Sequence, residues 1–112
     1  MGTRTFLMAV AGESFANADG TSRQRIIARC AVGEPIVFVR EVGNPYDRYA
    51  VKVVRERTGE CLGYVPNRQS KDMRGMLRRM EVRSAEIAKL TGGGWLFKRQ
   101  RGIVLCVRVE TG

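Results

Sequence analysis

The stretch GNPYDRYA, Gly43 to Ala50, combines side chains that can contact a ligand within one short turn. It places an amide (Asn44), an aromatic ring (Tyr46) and a carboxylate (Asp47) around Pro45. Such a sequence is ordinary turn chemistry, because proline fixes φ while Asn and Asp side chains accept hydrogen bonds from nearby backbone N–H groups. A carboxylate can also accept a hydrogen bond from a ligand hydroxyl. Both roles for Asp47 stay open, and one side chain can fill both.

The charge balance favours a polyanionic partner. Twenty Lys and Arg stand against 11 Asp and Glu, which gives a net charge of +9 and a sequence pI near 10.3. Nucleic acid is the expected ligand class for such a chain. The longest apolar run is only a few residues and the start, MGTRTFLMAV, lacks a signal-peptide pattern, so we expect no membrane association and a cytoplasmic location.

Few catalytic options remain after composition is considered. The chain contains no histidine, and its cysteines, Cys30, Cys61 and Cys106, are too far apart for a C-x-x-C motif. We interpret them as reduced core thiols. Most zinc sites and every triad with a His base are excluded. The alternative is a metal-dependent nuclease that uses Glu41 and Asp47, but we expect no enzymatic activity, no metal and no cofactor.

The turn lies within a predicted meander of three strands. The β-branched run IVFVRE follows Pro35, and residues 49–55 form its partner across the turn. Thr58 and Gly59 then lead into ECLGYVP, the third strand. This arrangement holds the NPYD sequence between two paired strands.

A strand and a short helix precede the meander. Residues 4–10 predict the strand, and Ser22 is the expected N-cap of a helix over residues 23–30, closed by Gly33. Arg23, at the start of that helix, is expected to point into solvent, as is the nearby Arg25.

A second helix, NRQSKDMRGMLRRM, follows the meander. Four apolar residues at helical spacing predict a core-facing stripe: Met73, Met76, Leu77 and Met80. The opposite face carries five cations: Arg68, Lys71, Arg74, Arg78 and Arg79. A large exposed apolar patch on this helix would instead favour an accessory module that docks on a separate helicase or nuclease.

Two strands complete the predicted fold. Residues 82–90 and 101–110 have strand patterns, and the second places Ile103, Leu105, Val107 and Val109 on one side. We therefore predict one domain over residues 1–112, mainly β (β or α+β) with two short helices. Six short strands in so small a chain favour an OB-like or SH3-like β-barrel.

Several motifs together resemble the HIRAN domain family. The motifs are AGESF, VREVGNPYDRYAVKV, GYVP and a late TGGG before RGIVLCVRV, and the resemblance extends from Ala11 to Arg108. The family includes stand-alone bacterial proteins and the N-terminal domains of some eukaryotic DNA-repair translocases, among them the helicase-like transcription factor. In the translocases, such a domain is an OB-like barrel that binds the 3′-hydroxyl end of single-stranded DNA.

The resemblance assigns roles to individual residues. It implies that Asp47 and Asn44 contact the terminal hydroxyl, while Tyr46 and Phe15 stack on bases. The site would reject an internal nucleotide of a DNA strand, because the phosphate on its 3′ side would lie close to the carboxylate of Asp47. The expected process is DNA repair or replication-fork processing.

Two positions depart from the family pattern. Ser14 replaces the Arg that precedes the stacking aromatic, and Asn67 replaces a phosphate-binding Lys, although the adjacent Arg68 could substitute for it. Further phosphate contacts are expected from the segment WLFKRQR, residues 95–101. Its candidate binding residues are Trp95, Lys98, Arg99 and Arg101. An alternative places the aromatic residues of this segment at the end of the barrel, with the cations in solvent.

Overall fold

The computed structural model describes residues 2–94 and 100–111. Within that part, the chain forms these elements: β1 (Gly2–Ala9), α1 (Arg23–Ile27), β2 (Ile36–Arg40), β3 (Val51–Arg55), β4 (Cys61–Tyr64), α2 (Asn67–Arg78), β5 (Val82–Thr91) and β6 (Gly102–Thr111). The prediction of a mainly β chain with two short helices is confirmed. Neither α1 nor α2 has the length and apolar character needed to cross a membrane.

The strands form two three-stranded antiparallel sheets, with strand orders β1-β6-β5 and β2-β3-β4. The second sheet is the predicted meander. A closed barrel is not seen among the described residues, because only isolated bridges join the sheets, between Ala11 and Tyr64 and between Pro35 and Glu86. Side-chain alternation predicts which face of a strand is buried, but it does not say whether the sheet edges pair continuously.

One hydrophobic cluster draws on all six strands and both helices. The predicted inward row of β6 is confirmed, since Ile103, Leu105, Val107 and Val109 are all buried. Their spacing of two residues matches the alternation of a strand that buries one face. The sheets are therefore held together by packing as well as by their bridges.

The first helix begins where predicted and ends earlier than predicted. The Oγ of Ser22 accepts a hydrogen bond of 3.3 Å from the N–H of Arg25, so Ser22 is the N-cap. The helix ends at Ile27, which leaves Gly33 outside it. Gly33 has φ of +89° and donates its N–H to the carbonyl of Ile87, so it fixes the following loop against β5 instead.

The predicted apolar stripe of α2 is right for three of its four members. Met73 is fully buried, and Met76 and Leu77 pack partly buried against the core. Met80 is 77% exposed and lies beyond the helix with φ of +57°. The prediction for Met80 was wrong because it extended the helix two residues beyond Arg78, where α2 ends. Most of the apolar face of α2 is therefore occupied by the protein's own core.

The three cysteines are free thiols, but each is only partly buried. This agrees with the prediction of reduced thiols, and Cys30 packs partly buried against the hydrophobic core. Burial raises the pKa of Cys30 to about 11 and raises the pKa of Cys61 as well. These two thiols are consequently protonated at neutral pH, and thiols are weaker nucleophiles than thiolates.

Gly63 permits the two sheets to approach closely. The N–H groups of Ala11 and Tyr64 donate to each other's carbonyls at 2.8 Å, directly beside this glycine. Gly63 has φ of +151°, and a Cβ added there would lie 2.5 Å from the carbonyl oxygen of Ala11 and 2.6 Å from Cγ1 of Val10. Only a residue without a Cβ allows this contact.

We expect Gly63→Ala to lower the free energy of unfolding by about 3 kcal/mol or more, because an unfavourable backbone conformation and a steric clash act together. Chemical denaturation measures the change. The matched control is Gly59→Ala, at φ of +77° with nothing within 4 Å of the added Cβ, which should cost only about 1 kcal/mol. Equal losses in both variants would mean that the clash is relieved at little cost.

Candidate nucleic-acid interface

The NPYD turn is held by its own side chains. The Oδ1 of Asn44 accepts hydrogen bonds from the N–H groups of Tyr46 (2.8 Å) and Asp47 (3.0 Å). The Oδ1 of Asp47 accepts from the N–H of Tyr49 at 2.8 Å. Gly43 begins the turn with φ of +82°. Asn44 and Asp47 therefore each use Oδ1 to stabilise the turn, as the turn-forming interpretation predicts.

Arg74 of α2 fixes the base of this turn. Its Nη2 donates to the carbonyls of Glu41 (3.1 Å) and Ala50 (3.3 Å), the residues on either side of the turn. The N–H of Glu41 also donates to the carbonyl of Ala50 at 2.9 Å. The turn is thus a rigid extension of the β2–β3 pair, tied to a helix.

A cleft of about 700 Å³ opens beside the turn, and we call it the turn cleft. Its walls come from the loop after β1, the start of α1, the NPYD turn and the β4–α2 junction. The lining residues are Ala11, Gly12, Phe15, Arg23, Asn44, Pro45, Tyr46, Asp47, Ala50, Tyr64, Val65 and Asn67. Four predicted site residues meet here, although the sequence separates Phe15 from the turn by almost thirty positions.

Two of these four residues are exposed aromatics. Phe15 is 67% exposed and Tyr46 is 89% exposed. Both line the turn cleft rather than pack into the core. Large aromatic side chains left in solvent beside a cleft favour a ligand with flat apolar faces.

Asp47 retains one oxygen for a ligand. Its Oδ1 is used by the turn, whereas Oδ2 makes no hydrogen bond to any described residue. The amide of Asn44 donates to Oε1 of Glu41 at 2.8 Å through one of its two hydrogens. One acceptor oxygen and one amide hydrogen therefore remain at the edge of the turn cleft.

Arg23 lies within the wall of the turn cleft and is only 8% exposed. Its Nε donates to Oδ1 of Asn17 at 2.7 Å and its Nη1 to the carbonyl of Gly12 at 2.8 Å. The guanidinium carbon lies 5.1 Å from the centroid of the Tyr64 ring. It forms no ion pair with a carboxylate of the described residues. The expectation that Arg23 is solvated was wrong, because Asn17 and Gly12 fold back over it.

Tyr64 and Glu41 form a polar pair behind the turn. The hydroxyl of Tyr64 lies 2.9 Å from both carboxylate oxygens of Glu41, and Lys52 lies 3.2 Å from Oε2. Burial and this carboxylate raise the pKa of Tyr64 to about 12, so it stays a neutral donor. Burial also acts to raise the pKa of Glu41, but the hydrogen bonds from Asn44, Tyr64 and Lys52 outweigh it and lower that pKa overall.

The proposed pairing of Glu41 with Asp47 around a metal finds no support in this arrangement. Glu41 is occupied by the three donors behind the turn, whereas Asp47 lines the turn cleft. Across residues 2–94 and 100–111, no group of three or more His, Cys, Asp or Glu side chains has metal-binding geometry.

Comparison with known proteins places these features in a family. The family model described as the HIRAN domain matches residues 11–90, which include the loop after β1, the NPYD turn, β4 and α2. The chain belongs to the HIRAN domain family. The family predicted from the motifs is thus confirmed, and HIRAN domains are known as nucleic-acid-binding modules. No curated protein shows significant sequence similarity to the chain.

Two solved structures have the same fold. The HIRAN domain of human HLTF superposes with a TM-score of 0.62 at 13% identity, over 95% of this chain and 76% of that one. A structural-genomics protein from Lactobacillus plantarum gives a TM-score of 0.65 at 19% identity, over 97% of this chain and all of the other. At these identities the likeness establishes the fold alone.

Two further predicted site residues of this HIRAN domain, Arg68 and Arg101, do not line the turn cleft. Arg68 is exposed on the first turn of α2, next to Asn67, which does line it. The backbone of Arg101 is paired with the side chain of Gln24, and its side chain lines a small pocket near Leu90. Trp95, Lys98 and Arg99 lie outside the described residues.

Sequence reasoning missed two cleft residues. Tyr64 was noted only as part of the GYVP motif, and Arg23 was assigned to solvent. The available signal was Gly12. This glycine has φ of +71°, and a Cβ at its position would lie 3.3 Å from Nη1 of Arg23, so a residue without a side chain lets the loop pack over the buried guanidinium. Glycine has many uses in loops, so the sequence alone did not single this one out.

We expect Glu41→Gln to be less stable than the parent at neutral pH. The lowered pKa of Glu41 means that its carboxylate stabilises the folded chain above the unfolded-state pKa, near 4.3. This contribution disappears as the pH falls through the lower folded-state pKa. The difference in unfolding free energy between parent and variant should therefore shrink on acidification, as urea titrations at several pH values would show.

The control for this titration is Glu56→Gln, which changes an exposed carboxylate and should have little effect at any pH. A deficit for Glu41→Gln that stays constant from neutral to acid pH would assign the loss to packing rather than to the carboxylate charge.

Proposed function

We propose that this HIRAN domain binds single-stranded DNA at its 3′-hydroxyl end, in the turn cleft, and acts as one domain without catalysis. The observation that carries the proposal is Oδ2 of Asp47, which makes no hydrogen bond to the described residues and belongs to a cleft that two exposed aromatics also line. The family's known role in nucleic-acid binding supports the ligand class. DNA repair or replication-fork processing is the process that the family resemblance suggests.

The terminal hydroxyl fits the free groups of the turn. A 3′ end carries a hydroxyl where an internal nucleotide carries a phosphate, and a hydroxyl can both donate and accept. Oδ2 of Asp47 would accept its hydrogen, and the second amide hydrogen of Asn44 would donate to its oxygen. An internal phosphate at the same point would meet a carboxylate, so the turn would discriminate by repulsion as well as by attraction.

Phe15 and Tyr46 would hold the terminal bases. Stacking of a base on an aromatic side chain contributes roughly 1 to 3 kcal/mol in single-strand binding sites. Because both rings are largely exposed in the free protein, they need not leave the core to meet a base. Stacking is tolerant of sequence, so the site would recognise an end more than a base identity.

Arg23 would provide the cleft's positive charge. A carboxylate facing DNA repels phosphates, and the family's basic residues at the Ser14 and Asn67 positions are absent. Arg23 compensates in part, because its charge has no carboxylate partner among the described residues and its Nη2 makes no hydrogen bond to them. Binding through such contacts should weaken as salt rises.

We expect Asp47→Asn to abolish the preference for a 3′-hydroxyl over a 3′-phosphate. Asparagine keeps an Oδ1 that can accept from the N–H of Tyr49, but it places an amide where the free Oδ2 was. The parent should prefer the hydroxyl by tenfold or more, about 1.4 kcal/mol. Fluorescence anisotropy on oligonucleotides with 3′-hydroxyl, 3′-phosphate and circular forms measures the preference, with an RNA strand for comparison.

The matched control is Glu56→Gln, which also removes one carboxylate; Glu56 is exposed and lies outside the turn cleft, so this variant should retain the preference. Thermal unfolding checks that Asp47→Asn preserves the turn. If the parent binds all of these strands equally, the proposal of end recognition is wrong.

A further inference from the structure

A second concave surface of about 630 Å³ lies between α2, β1 and the C-terminal side of the NPYD turn. We call it the basic groove. Its walls carry six cations: Arg4, Arg40, Lys71, Arg74, Arg78 and Arg79. Asp72 is the only carboxylate among the described residues that line it. The groove therefore has a net charge of +5, more than half of the +9 of the whole chain.

These cations have few internal partners. Among the described residues, Arg79 alone of the six forms an ion pair, with Glu81 at 3.1 Å. Lys71, Arg74 and Arg78 repeat at helical spacing, so their charges lie along one side of α2 and repel one another. A concentrated set of like charges with few counter-charges disfavours the folded chain and favours an anionic ligand.

Contacts with the turn hold part of the groove in place. Arg74 donates to two backbone carbonyls at the base of the turn, and the Nζ of Lys71 lies 5.7 Å from the centroid of the Tyr49 ring. Arg40 and Arg78 are exposed at the end of β2 and on α2. The groove thus combines fixed cations with others that can adjust to a ligand.

The groove begins where the turn cleft ends. Asn67 lines the cleft, and Lys71, one helical turn later on the same side of α2, lines the groove. On the turn itself, Asp47 faces the cleft and hydrogen-bonds to Tyr49, which lines the groove. The helix from Asn67 to Arg78 extends about 16 Å at 1.5 Å per residue.

We propose that the basic groove binds the sugar-phosphate backbone of the same strand whose 3′ end occupies the turn cleft. This inference rests on the proposed function for the position of the terminal nucleotide. The strand would leave the cleft past Asn67 and continue towards its 5′ side along α2, over a length suited to a few nucleotides. The groove would then supply the phosphate contacts that Ser14 and Asn67 do not.

The continuity of the two surfaces favours a nucleic-acid strand over an acidic peptide. A strand has flat bases for the exposed aromatics at one end and a regular series of phosphates for the cations beyond. An acidic peptide matches the charge of the groove but not the aromatics of the cleft.

The test compares two triple variants that remove the same charge. Arg40→Gln, Lys71→Gln and Arg78→Gln change the groove, whereas Arg25→Gln, Arg57→Gln and Arg108→Gln change exposed cations outside both surfaces. Anisotropy over a range of salt concentrations is measured with a thymidine trinucleotide and a thymidine 12-mer, both with 3′-hydroxyl ends. The parent should bind the 12-mer more tightly than the trinucleotide.

The groove variant should lose about tenfold or more in affinity for the 12-mer at low salt. The slope of log affinity against log salt concentration should become shallower by about two, or about 0.7 for each lost phosphate contact. Its affinity for the trinucleotide and its 3′-hydroxyl preference should stay within about twofold of the parent values. The control variant should show small and equal losses on both strands. Lys71→Gln alone should reduce the salt slope by about 0.7, which provides the test if the triple variant does not fold.

Three results would overturn the inference: equal losses in both triple variants, a groove variant that keeps its preference for the longer strand, or tighter binding of a polyglutamate peptide than of a 12-mer of equal charge. A parent without 3′-hydroxyl preference whose 12-mer binding still depends on the groove would support the groove as a backbone-binding surface and refute only end recognition.

Discussion

The close backbone contact between Ala11 and Tyr64 organises the rest of the molecule. Gly63 makes it possible, because a side chain there would collide with the end of β1. The reciprocal hydrogen bonds join the sheet that contains β1 to the sheet that contains β4. Both bonded residues line the turn cleft, so the junction of the two sheets is also part of the candidate binding site.

Two acidic residues near this junction, Glu41 and Asp47, make different contacts. Glu41 is surrounded by three donors and holds Tyr64, Asn44 and Lys52 together behind the turn. Asp47 accepts a hydrogen bond from a backbone amide of the turn through one oxygen, and its other oxygen makes no hydrogen bond to the described residues. Asp47 and Arg23 both line the turn cleft, and neither forms an ion pair within the described residues. A site with both signs of charge would distinguish parts of a polyanion, whereas uniform positive charge would only attract it.

Much of the fold could be predicted from the sequence because local patterns determine it. The alternation in β6 fixed its buried face, Ser22 capped α1, and the NPYD sequence formed the predicted turn. The end of α2 could not be predicted from periodicity, since Met80 continues the apolar spacing after the helix has stopped. The absence of a continuous barrel among the described strands depends on the pairing of distant edges, about which side-chain alternation carries no information.

The candidate site was predictable only where a motif carried it. Asn44, Tyr46 and Asp47 are adjacent, and the resemblance added Phe15, which the fold brings to the same cleft. Arg23 was missed because its burial is created by the loop after β1, through Gly12 and Asn17, rather than by any pattern around the arginine itself. Contacts between residues distant in the sequence determine whether a cation is solvent-exposed or buried, and such contacts cannot be inferred from one sequence.

The position of the cleft at the junction of the sheets has a consequence for motion. A ligand there would contact Tyr64 of one sheet and the loop that follows β1 of the other, so separating the sheets would also remove some of the ligand's contacts. A bound ligand would therefore raise the free energy needed to separate the sheets. A bound strand end would hold the two sheets together, and the lifetime of the complex would depend on how often the two sheets separate.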